Sequence, residues 1–80
     1  MRAADQRDGQ LDSDLLAAHA IADRYSLVAL YAEAGHRRAE RAEMDAACFY
    51  WTHARVYALE LGDERADSLL TLLAAEGRDA

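Results

Sequence analysis

Three histidines, His19, His36 and His53, recur at intervals of 17 residues in a chain of 80. Imidazoles carried on three separate helices are one way to assemble a transition-metal site. Equal spacing does not bring them together, because antiparallel helices reverse direction and equal sequence intervals then fall at unequal heights. His36 also lies on the polar side of its helix. No metal is expected. Glu33-Ala34-Gly35-His36 has the Glu-x-x-His spacing of di-iron carboxylate bundles, but those need two such motifs and further inward-facing glutamates. Cys48 and His53 are the one pair that suggests thiol chemistry. Five residues on a helix set them about 140° apart, so His53 is no base for Cys48 in the same chain. A free cysteine acting as a small buried hydrophobe is the simpler reading.

No Gly-rich phosphate loop, nucleophile elbow, HExxH run or cysteine pair is present. No catalytic, cofactor-binding or metal residue is assigned, no cofactor is expected, and these absences favour a non-enzyme. The net charge of −6 argues against nucleic acid, whose phosphates need a clustered positive surface. The one basic segment, residues 24–42, carries four Arg against two Glu and reads as a solvated helix face. No apolar run approaches the ~20 residues that cross a bilayer, so no membrane partner is expected. The first ten residues lack the apolar stretch of a signal peptide. With one cysteine and no disulfide possible within the chain, the expected location is the reducing cytoplasm.

The elements that hold these residues are helices. Alanine and leucine supply most of the apolar content, β-branched residues are scarce and proline is absent. The expected fold is all-α, with four antiparallel helices in two hairpins. Residues 1–10 read as a flexible N-terminal tail, and residues 11–80 as a single helical domain. The first helix is expected from about Leu11 to Ala22, capped by Asp12 or Ser13. The second runs from Ser26, its cap, to Ala42, and continues through Gly35 because its apolar face keeps phase there. Glu33 and Arg37 are spaced to pair along it. The third spans Asp45 to Leu61 and ends at Gly62. The fourth is capped by Asp63, ends at Glu76 and shows the apolar face Ala66, Leu69, Leu70 and Leu73. Ala20-Ile21-Ala22-Asp23, Glu40-Arg41-Ala42-Glu43 and Glu60-Leu61-Gly62-Asp63 repeat a boundary at a period of 20 residues. One helix and one tight turn per period is the physical reading.

Tyr31-x-x-x-Gly35, and Ala54-x-x-Tyr57 followed by Gly62-Asp63, resemble the tetratricopeptide pattern. Tyr57 to Gly62 is one residue longer than that pattern, and Ala39 and Ala66 come one residue early. The resemblance implies tetratricopeptide-like packing of helical hairpins. The run from Asp45 to Glu60 also resembles the central helix of small uncharacterised bacterial helical proteins. That likeness spans about residues 15–78 and implies a fold but no activity.

The third helix is unusual in being apolar nearly all round. Tyr50, Trp51, Ala54, Tyr57, Ala58 and Leu61 form one face. Cys48, Phe49, Val56 and Leu59 lie across the wheel, with Thr52 among them. Such a helix is central in a bundle or has a second partner. Cys48, Phe49, Thr52, Val56 and Leu59 are therefore the expected interface of a non-enzymatic helical interaction module, a homodimer or a partner of another protein. The alternative is a small enzyme or ligand carrier, with a pocket between the hairpins lined by Cys48, His53 and the tyrosines.

Overall fold

The computed structural model describes residues 3–78, with side chains from residue 9 onward. It is all-helical: α1 (Ala3–Ala20), α2 (Arg24–Glu40), α3 (Met44–Leu61) and α4 (Arg65–Ala75) follow in order, with no strand among the described residues. α2 packs most extensively on α3; α1 rests on α2 and α4 on α3.

Three short turns join the helices, and each is the same hydrogen-bonded motif. Ala22, Ala42 and Gly62 take positive φ values of 54°, 59° and 65°. The N–H of the residue after each of these reaches back five residues: Asp23 to the Ala18 carbonyl, Glu43 to Arg38 and Asp63 to Ala58. This is the Schellman motif, which satisfies carbonyls left without partners at a helix end. The 20-residue boundary period is therefore a repeated left-handed turn. Gly77, at φ 72°, closes α4 in the same way through Arg78 and Leu73.

The helix starts differ from the sequence reading at three places. α1 begins at Ala3, not Leu11, so residues 3–10 are helical where a tail is expected, while Met1 and Arg2 lie outside the described residues. Asp12 and Ser13 consequently sit inside the helix and cap nothing. Nothing between Ala3 and Leu11 stops a helix: proline is absent, and Gly9 weakens it by only about 1 kcal/mol. At α2 the cap is Asp23, not Ser26. Its carboxylate accepts the Ser26 N–H at 3.2 Å and the Ser26 hydroxyl at 2.6 Å. Those two bonds, the hydroxyl first, hold Asp23 below the usual carboxylate range. At α4 the residue flanking the helix is Glu64, not Asp63, and it makes no side-chain cap bond; Asp63, one position earlier, receives the N–H of Arg65 at 2.8 Å, and its carboxylate grips the Arg65 guanidinium. Glu33 and Arg37 pair at 3.1 Å along α2.

The core is built of small side chains around one large one. Ala47, Ala54, Ala58 and Ala66 surround Trp51 together with Val28, Cys48, Leu69 and Leu73. Trp51 crosses from α3 onto Gly35 of α2. A methyl group at Gly35 would stand 3.0 Å from the indole Cγ and closer still to Cδ1 and Nε1. Glycine is therefore required by space at a helix-interior position where propensity alone disfavours it. The Cα positions extend 38 × 31 × 14 Å, so the molecule is a thin slab with two broad faces.

Two substitutions test this account by sign. Helix propensity favours Gly35→Ala by ~1 kcal/mol, whereas overpacking against Trp51 opposes it by ~1–3 kcal/mol. Urea denaturation should show a net loss of about 1–2 kcal/mol, and a gain would mean that the indole yields freely. Ala42→Gly should do the opposite, because a non-glycine residue in the left-handed region is strained by ~1–2 kcal/mol, partly offset by glycine's greater unfolded freedom. A higher melting temperature is the expected result.

Candidate functional site

The only broad convergence of chemistry-bearing side chains among the described residues is an aromatic and imidazole ladder. Tyr31 of α2 is its centre. Its ring stacks on His53 of α3 at 5.3 Å between centroids and on Tyr57 at 5.9 Å. Tyr50 lies beside it at 6.2 Å. From α1, His19 meets Tyr31 edge-on, and its Nε2 shares a hydrogen bond of 2.9 Å with the Tyr31 hydroxyl. Phe49 continues the ladder outward, 4.4 Å from His53. Helical spacing explains the α3 members, since positions 49 or 50, 53 and 57 stack one turn above another.

The ladder joins three helices through aromatic contacts. His53 Nδ1 donates to the Phe49 carbonyl at 2.9 Å, which fixes the ring's orientation. Burial raises the Tyr31 phenol above the ordinary tyrosine range, and Tyr57 and Tyr50 push the same way. Beside the ladder, α3 carries a groove of about 250 Å³ lined by Thr52, His53, Val56, Tyr57 and Glu60.

The three histidines separate into two places. His19 and His53 both reach Tyr31, whereas His36 lies edge-on to Trp51 on the other side of α2. No three His, Cys, Asp or Glu side chains among the described residues stand where one metal ion would need them. Glu33 is committed to Arg37. The convergence of His19 on Tyr31 and Tyr57 goes beyond the sequence reading; no spacing rule reports contacts between α1 and α3.

The expected interface divides as well. Phe49, Val56 and Leu59 are 58%, 48% and 55% exposed, and Thr52 is exposed beside them. Cys48 is corrected: at 2% exposure it belongs to the core with Trp51 and Leu73, and it presents no surface. It lies at the edge of the wheel that α4 covers, which the sequence pattern of α3 alone does not reveal. The groove that reaches His53 and Tyr57 does not include Cys48. Leu16, Ile21 and Tyr25 are further exposed apolar side chains on α1, the first turn and α2. Among the described residues, no helix is long and apolar enough to cross a membrane.

No protein-family model, no curated protein and no solved structure matches this chain.

The ladder predicts an alkaline sensitivity with a definite sign. A phenol whose proton is held more tightly in the folded state lends stability below the ordinary tyrosine range, and that stability is lost as pH rises through the folded value. Ultraviolet absorbance titration should show one of the four tyrosines ionising late. Tyr31→Phe should remove that late step; its persistence would reassign the ionisation to another tyrosine.

Proposed function

We propose that the protein is a non-enzymatic helical interaction module that self-associates through the outer face of α3. The observation that carries this reading is the exposed stripe of Phe49, Thr52, Val56 and Leu59 on a slab 14 Å thick. Its intervals of three, four and three residues are those of a helix-pairing seam. A domain normally hides such a stripe under a second layer. Here α3 already packs on α2 and α4, and the stripe lies on its remaining side. A second copy supplies the same patch, and a two-fold pair is the commonest way to close a self-complementary surface.

The architecture that goes with this reading is tetratricopeptide-like, α1 with α2 and α3 with α4 as antiparallel hairpins. Tight turns and packing between consecutive helices support it. A carrier role draws less support, because the groove that reaches His53 and Tyr57 does not include Cys48, which is buried in the core.

Sedimentation equilibrium at tens of micromolar should find a dimer. Phe49→Asp places a carboxylate in the seam, and burying it unpaired is strongly unfavourable. The variant should sediment as a monomer while keeping its helical circular dichroism. A monomeric wild type would end the self-association reading.

A further inference from the structure

The groove beside the stripe says how the two copies meet. His53, Val56, Tyr57 and Glu60 follow the intervals i, i+3, i+4 and i+7, the four positions that frame a hole for a side chain of a facing helix. Two walls of this hole are rings, His53 and Tyr57, and its volume is about 250 Å³. At its outer end Glu60 is already paired with Arg24 at 3.1 Å, so its charge is compensated. The largest exposed side chain on α3 is Phe49, which touches His53 of its own chain but leaves most of its ring in water.

We propose that two copies pair α3 against α3 in antiparallel orientation, each inserting Phe49 into the other's His53–Val56–Tyr57–Glu60 hole. The inference rests on the self-association reading and specifies its geometry. The hole is centred near residues 56 and 57. Matching it to Phe49 of an antiparallel partner puts the two-fold axis level with residue 53. That is the middle of α3, which spans Met44–Leu61, so the two helices overlap along nearly their whole length. Using Leu59 as the inserted group would move the axis to about residue 58 and leave only a short overlap at the helix ends. A parallel pair would set Val56 opposite the hole and leave Phe49 facing only its own copy. It would also bring Arg55 towards the partner's Glu60, but Arg24 already holds that carboxylate and an exposed pair contributes little. In the antiparallel register Thr52, the smallest member of the stripe, comes close to the axis, where helices approach most closely.

Electron–electron dipolar spectroscopy separates the arrangements. A nitroxide on Asp45→Cys in a Cys48→Ala background marks one end of α3 in the full chain. With a rise of 1.5 Å per residue, the antiparallel register puts the two labels roughly 25 Å apart, and a parallel one puts them at about the interaxial distance of 10 Å. A separation under about 15 Å overturns the proposal. So does absence of coupling in a species that sediments as a dimer. A labelled protein that sediments as a monomer sinks the self-association reading instead. The hole has its own test in Val56→Tyr, which adds apolar surface to the stripe while filling the hole. Dimerisation should weaken at least tenfold with helicity unchanged; tighter association would show that Phe49 does not enter there.

Discussion

The close approach of Trp51 to Gly35 fixes the spacing of α2 and α3, and the remaining contacts are arranged around it. An indole is the largest group in this core, and only the absence of a side chain lets it lie against the facing helix. Its neighbours on α3 are Ala47, Ala54 and Ala58, and Ala66 faces them from α4. Small residues let helix axes approach, and a single bulky ring then fills what they leave. The indole N–H finds no hydrogen-bond partner among the described residues. An unsatisfied buried donor opposes folding, so the ring must be retained for its packing. Its orientation turns the alanines of α3 inward and so turns Phe49, Val56 and Leu59 outward.

The turns show what a sequence pattern conveys and where it stops. A small residue followed by an acid, repeated every 20 residues, marks the three connections, and the left-handed residue falls on Ala22, Ala42 and Gly62. The pattern does not distinguish cap from first turn. Asp23 and Ser26 are both good capping residues, and the choice between them depends on where the preceding Schellman turn ends. The beginning of α1 was hidden for a related reason. Polar residues without period look like a tail, yet with no proline among them nothing in the sequence stops a helix there.

The face assignments of α3 were legible because a 3.6-residue period places Trp51, Ala54 and Ala58 together without any tertiary knowledge. Cys48 was misplaced because it sits between two faces, and α4 decides which one claims it. Contacts between helices were illegible altogether. Whether His19 meets Tyr31, Tyr57 or nothing depends on the relative height of α1 and α3, a quantity set by turn geometry and by the packing of both helices on α2. Gly35 illustrates the same limit. Read locally it is a weak point in a helix, and read in three dimensions it is the position that admits the indole.

A core rich in alanine buries little apolar area per residue, which limits what folding alone can contribute at this size. Aromatic side chains that would enlarge it are instead gathered in the ladder, with His19, Tyr50 and Tyr57 all meeting Tyr31 and Phe49 at the rim. That division has a consequence for the proposed pairing. The ladder stiffens α3 against α1 and α2, so the stripe beside it is presented on a helix whose register is already fixed. A preorganised surface loses less freedom when it binds. Association in turn stabilises the folded chain by mass action, since only the folded state carries the surface. The same helix thus supplies the ring that sets the core spacing and the ring that core leaves exposed.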